Sequence, residues 1–231
     1  MEQITPGSLY IVSTPIGNLG DITLRAIHIL KSVSIIAAED TRTSNILLKH
    51  YKISTPMIPF HSYNQSRQTK HLINRLKNGD AIALISDAGT PGILDPAHML
   101  VKSCISENLK IIPIPGPSAF LAALVVSGLP THKFVFEGFL PTKKGRQTCL
   151  KNLATEERTI ILYESPHRIK KTVSELKTLL SDRQIVLGRE ITKKFEEFFR
   201  GSLSELTRYL DKKTPRGEIV LLIAGKSKKH G

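Results

Sequence analysis

Short apolar runs rich in β-branched residues recur along the chain, and each hands over to a helical pattern. In the first half the runs are Leu9–Ser13, Val33–Ala37, Ala81–Ser86 and Lys110–Pro113. Helical patterns lie near Ile22–Lys31, Thr41–His50, Arg67–Asn78, Ala97–Glu107 and Ser118–Val126. Continuous apolar strands separated by helices predict a parallel sheet covered on both faces, hence an α/β fold. Ser66 is the expected cap of the third helix, and Gly79 its stop. After Val126 the residues Ser127, Gly128, Pro130 and Thr131 mark a turn, and a second series begins. Its strands are Phe134–Gly138, Thr159–Tyr163, Gln184–Gly188 and Glu218–Ala224. A helix starting at Pro166, with Ser165 as cap, carries one apolar stripe of Ile169, Val173, Leu176 and Leu180. Two α/β domains are therefore expected, residues 1–127 and 128–231, joined near Ser127–His132. The basic tail, Lys226–Gly231, is expected to fray.

In open α/β sheets ligands sit beyond the carboxyl ends of the strands. The segments that follow the first-half strands are Thr14-Pro-Ile-Gly-Asn-Leu-Gly-Asp21, Glu39-Asp-Thr-Arg42, Asp87-Ala-Gly-Thr-Pro-Gly92 and Ile114-Pro-Gly-Pro-Ser118. Three of the four are rich in Gly and Pro. Glycine lets backbone approach a ligand, and proline fixes a loop in advance. Such loops offer N–H and C=O groups in place of side chains, which suits a neutral or zwitterionic adenosine-type ligand. The alternative is that they only make tight turns. The first loop reads G-x-x-G, without the G-x-G-x-x-G of dinucleotide folds. It also follows a strand, which sets it apart from the RNA-binding KH loop. Gly225-Lys-Ser227 lacks the earlier glycine of a P-loop, and Gly116-Pro-Ser118-Ala119 is not a nucleophile elbow.

Charge narrows the partners. Lys and Arg outnumber Asp and Glu to give a formal net charge of +13 over 231 residues. A field of that sign attracts RNA, DNA, acidic membranes or polycarboxylates. No apolar run approaches a membrane span, and the N-terminus lacks a signal peptide's basic start. Cys104 and Cys149 stand apart, which predicts free thiols in a reducing cytoplasm. The eight His lack metal-ligand spacing, so no metal is expected. Aromatic residues make up only 6%, which argues against a reader built on many exposed rings. Acid and base occur together at three strand mouths: Glu39, Asp40 and Arg42; Glu164, His167 and Arg168; Arg189, Glu190, Lys193 and Lys194. Each is either functional or a surface ion-pair network. Lys143, Lys144, Arg146 and Lys151 read as a phosphate-contacting loop or as a solvated face.

Taken together, "LYIVSTPIGNLGDITLRA", "AAEDTRTSNILLKHY", "SDAGTPGILDP", "PGPSAFLAAL", "YESPHR", "GREITKKFEE" and "RGEIVLLI" resemble the ribosomal RNA small subunit methyltransferase I family. That family is a branch of the tetrapyrrole (precorrin-type) methylase superfamily. The resemblance implies a tetrapyrrole-methylase-like fold with a parallel N-terminal sheet, a mixed C-terminal sheet and a cofactor cleft between the domains. It implies S-adenosylmethionine as methyl donor and the 2′-hydroxyl of a cytidine in the decoding region of 16S rRNA as acceptor. It also implies a homodimer. Carried over by motif, the donor-binding residues are Pro15, Gly17, Asp87, Ala88, Gly89, Thr90, Pro91, Gly116, Ser118, Ala119, Tyr163, Gly217 and Ile219. The candidates for catalysis are Glu190 with Lys193, Arg168 beside Glu164, and Asp40 with Arg42. The family usually reads S-D-P-G where this chain has Leu94-Asp-Pro-Ala97, so the turn at that point is expected to differ. A precorrin methyltransferase and a non-catalytic RNA-binding module are the alternative readings.

Overall fold

In the computed structural model, residues 3–213 and 215–227 are described. They fall into two compact units, Met1–Ser118 and Ala119–Gly231. The Lys228–Gly231 part of the expected frayed tail lies outside the described residues.

The first unit holds strands β1 (Ser8–Val12), β2 (Ile35–Ala38), β3 (Met57–Pro59), β4 (Ile82–Ile85) and β5 (Lys110–Ile114). Helices α1 (Leu24–Ser32), α2 (Thr41–His50), α3 (Gln65–Lys77) and α4 (Ala97–Ser106) connect them. The sheet order is β3-β2-β4-β1-β5, and every pairing is parallel. Side chains alternate faces along a strand, so a strand buried on both sides must be apolar throughout. Tyr10, Val12, Ile36, Ala38, Ala83 and Ile85 pack with α1 and α2 through Ile29, Leu30, Leu47 and Leu48. Leu9, Ile35, Ala37, Ile82 and Leu84 pack on the other side, with Leu72, Ile73 and Leu76 of α3 and Leu100 of α4. Thus α1, which follows β1, and α4, which follows β4, cover opposite faces. Since β1 and β4 are neighbours, their carboxyl ends form the switch point where an open α/β sheet leaves a crevice.

The second unit opens with helix α5 (Ala119–Val125). Strands β6 (Phe134–Phe139), β7 (Thr159–Glu164), β8 (Gln184–Arg189), β9 (Glu197–Ser202) and β10 (Ile219–Ile223) form its sheet. The order is β6-β7-β10-β8-β9, parallel only between β6 and β7. Helices α6 (Arg146–Thr155), α7 (Ile169–Leu180) and α8 (Leu203–Lys212) cover one face, with Leu150, Leu176 and Leu206 against Ile160, Leu162, Leu187 and Leu221. The sheet is mixed, as the resemblance implied.

Several local expectations are corrected. Asn64, not Ser66, precedes α3, and it makes no side-chain capping bond. The helix expected from Ile22 begins at Leu24, because the Thr23 side chain accepts the Ala26 N–H at 3.0 Å. The helix expected from Pro166 becomes regular at Ile169, and the N–H groups of Arg168 and Ile169 donate to the Ser165 carbonyl. Arg146 is no surface cation: it opens α6 and is only 5% exposed. At Leu94–Ala97 the turn is tight. Leu94 takes φ 67°, and the Asp95 carboxylate accepts the N–H groups of Gly92 (2.8 Å) and Ala97 (2.9 Å).

Candidate functional site

All five strands of the first sheet run in parallel, so the loops at their carboxyl ends open on one edge. The three Gly/Pro loops follow β4, β1 and β5, which are adjacent. They are tied to one another. The Thr14 N–H donates to the Gly89 carbonyl at 2.9 Å, and the Gly89 N–H donates back to Thr14 at 3.1 Å. The Thr14 hydroxyl donates to the Ser86 carbonyl at 3.1 Å. Ser13 and Thr90 share a hydroxyl–hydroxyl bond of 2.9 Å, and Thr90 Oγ1 donates to the Pro117 carbonyl at 3.3 Å. Ser13, Thr14 and Ser86 are buried, so these bonds are shielded from water. Gly89 has φ 82°, a conformation that side-chain-bearing residues rarely adopt.

Gly116 is required for a different reason. A Cβ there would stand 2.8 Å from the Ser13 Cβ, closer than real Cβ atoms approach. Gly116→Ala is therefore expected to force the β5 loop away from β1, at about 1–3 kcal/mol of overpacking strain. Thermal unfolding of the variant beside the parent checks it.

Of the donor-binding residues carried over by motif, Pro15, Gly17, Asp87, Ala88, Gly89, Thr90, Pro91, Gly116 and Ser118 meet along this edge. Pro15, Gly89 and Pro91 are buried, whereas Gly17, Asp87, Ala88 and Gly116 face solvent. No bulky side chain rises from Gly17, Ala88 or Gly116, so a ligand can reach the main chain there. An adenosine-type compound read by backbone groups fits such a surface.

Beside these loops lies a carboxylate group. The Asp40 N–H donates to Asp87 Oδ1 at 2.9 Å. Asp40 caps α2 by accepting the Arg42 N–H at 2.8 Å, and it binds the Arg42 guanidinium at 3.1 and 2.7 Å. The Arg42 side chain holds Asp40 far below the usual range, at about 2. Asp87 and Glu39 move the other way. Burial raises both; the charge of Asp40 adds to the rise at Asp87, and that of Asp87 to the rise at Glu39.

The remaining candidates lie in the second unit. The antiparallel register sets Ile219 opposite both Glu164 and Arg189, so the carboxyl ends of β7 and β8 meet the start of β10. The Ile219 side chain points into the core, leaving its main chain at the edge. Tyr163 stands beside Phe136 and Phe139, with ring centroids 5.2 and 5.7 Å away, and its hydroxyl accepts the Phe120 N–H at 3.2 Å. Burial raises the Tyr163 pKa. Ala119, matched with Ser118 in the sequence, opens α5 of this unit.

Glu190 is the most constrained residue of this edge. Its φ is 49°, and that of Thr192 is 69°. Non-glycine residues hold such angles only where neighbours over-determine them. Here the Glu190 N–H donates to the Glu218 carbonyl, and Glu190 Oε1 accepts the Glu218 N–H, both at 3.0 Å. A Cβ on Gly217 would overlap the Glu190 carboxylate. Lys193 Nζ lies 3.2 Å from Glu190 Oε1 and 3.1 Å from Glu218 Oε2. Burial by itself would raise the Glu190 pKa, but the Glu218 N–H and Lys193 together bring it below normal. Burial would likewise lower Lys193, but Glu218 and Glu190 outweigh it and raise the pKa. The pair is thus charged at neutral pH. Lys193 is a fixed cation and not a base.

Glu164 and Arg168 have a different setting. Glu164 is 2% exposed. Its Oε1 accepts the Ser165 N–H at 2.9 Å and lies 3.3 Å from Arg168 Nε; its Oε2 accepts the Thr172 hydroxyl at 2.5 Å. Arg168 also donates to the Leu140 carbonyl at 2.6 Å. These contacts tie the loop after β6 to α7. Among the described residues no group of three or more His, Cys, Asp or Glu side chains could hold a metal ion. No helix among them is long and apolar enough to cross a membrane.

The chain is similar to known proteins. Residues 8–207 match the family model described as Tetrapyrrole (Corrin/Porphyrin) Methylases. A protein of Synechocystis sp. named ribosomal RNA small subunit methyltransferase I is 52% identical over 221 residues, 95% of this chain and 79% of that protein. A Thermotoga maritima protein of the same name is 45% identical over 220 residues, 95% of this chain and 99% of that one. Among solved structures, a cobalt precorrin-4 methyltransferase from cobalamin biosynthesis superposes with TM-score 0.71 at 18% identity, over 94% of this chain and 95% of that one.

Proposed function

We propose a function from one premise: this chain belongs to the tetrapyrrole (corrin/porphyrin) methylase family, among the ribosomal RNA small subunit methyltransferase I proteins. It is an S-adenosylmethionine-dependent methyltransferase of small-subunit (16S) ribosomal RNA. The acceptor is the 2′-hydroxyl of a cytidine in the decoding region. The observation that carries this reading is the near-complete span of the similarity to relatives of that name.

The donor supplies a methyl group already activated on a sulfonium. The first unit's loops, with Gly17, Ala88, Gly89 and Gly116, bind it through the main chain. Tyr163, Gly217 and Ile219 of the second unit are donor contacts in the same reading. What the reaction still needs is alignment, a proton acceptor and charge stabilisation. Alignment can supply up to about 7–11 kcal/mol of the barrier. A ribose hydroxyl is a weak acid; the Lys193 ammonium favours its alkoxide, and the proton released as the methyl moves from sulfur to oxygen passes to solvent water. Glu190, with its lowered pKa, is better suited to hold Lys193 than to take the proton. The +13 charge suits a polyphosphate partner, and the same reading includes a cytoplasmic location and a homodimer.

The test is mass-spectrometric mapping of nucleosides after incubating small-subunit rRNA or subunits with the protein and isotopically labelled donor. A ribose-methylated cytidine is the expected product. Label in a porphyrinoid offered in parallel, and none in RNA, replaces this reading with the tetrapyrrole one. Donor binding with no transfer to either leaves a module without chemistry.

A further inference from the structure

The loop after β3 opens on the same edge as the loops after β2, β4, β1 and β5, because all five strands are parallel. It carries Tyr63, which is 98% exposed. The loop around it is held by its own hydrogen bonds. The His61 N–H donates to Asn64 Oδ1 at 2.9 Å, Asn64 Nδ2 donates to the Pro59 carbonyl at 3.1 Å, and the Gln65 N–H donates to the His61 carbonyl at 2.9 Å. The His61 ring meets Tyr63 edge-on, with centroids 6.1 Å apart. Tyr63 is thus held out into solvent by a turn with its own bonds.

The next helix, α3, extends the pattern. Arg67 lies four residues on from Tyr63, and Lys70 and His71 come one turn later. All three are exposed. No Asp or Glu occurs between Phe60 and Gly79. Helices favour acids in the first turn, where the dipole is positive, yet α3 has none there. At its far end Arg75 pairs with Asp80, and Lys77 with Glu107. Arg67 and Lys70 make no ion pair among the described residues. An exposed ring followed along one helix face by uncompensated cations has the chemistry of a single nucleic-acid strand: a base to stack, then phosphates to neutralise.

Resting on the proposed function, we infer that Tyr63, Arg67 and Lys70 form a docking stripe for single-stranded RNA, with Tyr63 stacking on one base that flanks the acceptor nucleotide. β3 lies three strand spacings from β1, about 14 Å along the edge. The stacked base therefore lies farther along the strand and is not the reacting nucleotide itself. Few aromatics are needed, because one ring serves one base.

The test compares the parent with Tyr63→Ala, Tyr63→Phe and the double variant Arg67→Glu/Lys70→Glu. A fluorescein-labelled single-stranded oligoribonucleotide is titrated by anisotropy across a salt series, and S-adenosylmethionine by calorimetry. Stacking predicts that Tyr63→Ala weakens RNA binding about 5- to 100-fold. Tyr63→Phe should bind like the parent. The double variant should weaken binding and flatten the salt dependence, by about one unit of log–log slope per charge removed. Donor binding should be unchanged in all three. If the parent binds donor and RNA but Tyr63→Ala binds RNA equally well, the stripe is wrong and the proposed function stands. If the parent binds donor and no RNA, the proposed function fails and the stripe with it.

Discussion

Lys193→Ala is expected to lower methyl transfer by about 10²–10³-fold, with S-adenosylmethionine affinity nearly unchanged. The effect is electrostatic. Lys193 Nζ is fixed between Glu190 Oε1 and Glu218 Oε2, so in the proposed role its charge is oriented in advance. Glu190→Gln should have a similar but smaller effect, because the amide oxygen can still accept the Glu218 N–H while the anchoring charge is lost. The pH dependence has a definite sign. Glu190 is depressed below its normal 4.5, so its charged form is lost only as pH falls through that lowered value. Lys193 is raised above 10.5, so its charge is lost only as pH rises beyond that. Between about 5 and 10 the pair does not titrate, and any inflection of kcat in that range belongs to another group. Single-turnover rates over this range, with calorimetry of the donor, are the measurement. Normal turnover in both variants removes the pair from the chemistry.

Arg146→Met should strongly destabilise the second unit, by about 3–5 kcal/mol. The guanidinium is buried and directs its donors to Glu175 Oε2 (2.9 and 2.6 Å), the Thr172 hydroxyl (2.8 Å) and the Pro141 carbonyl (3.1 Å). Thr172 in turn donates to the buried Glu164. Removing the cation leaves the largely buried Glu175 carboxylate without its partner, a larger penalty than losing a surface pair. Urea unfolding, followed by circular dichroism, should show a lowered midpoint. The companion variant Arg146→Met/Glu175→Met should recover much of the loss, since no carboxylate is then left without its partner. An unshifted midpoint for Arg146→Met alone would mean that the network contributes nothing net.

The same residue shows where sequence reasoning runs out. Arg146 sits among Lys143, Lys144 and Lys151, and in one dimension the four look alike. What distinguishes it is the spacing to Leu150 and Leu153, which puts it on the buried face of α6. The parallel strands were legible because each is apolar on both faces. β3 was not, because Met57–Pro59 is a short edge strand ending in proline. β9 hid behind the charges of Arg189–Glu197. The helix after it nonetheless carried a signal: Ser202 and Glu205 form a reciprocal capping box that announces α8. The Gly/Pro loops were legible as candidates at a sheet edge. Their mutual bonds were not, since Ser13 and Thr90 meet across a separation of 77 residues. Nor does a sequence reveal that Glu190 and Thr192 adopt left-handed backbone angles.

The paired amides of Thr14 and Gly89 have a thermodynamic consequence. Two loops that would otherwise wander are stitched together as part of the sheet's own folding, and their entropy is surrendered then. A ligand that settles on this rim finds it pre-organised and has little chain to immobilise. Modest affinity from a few main-chain contacts can therefore suffice, which favours a reaction in which the spent ligand must leave after every turnover.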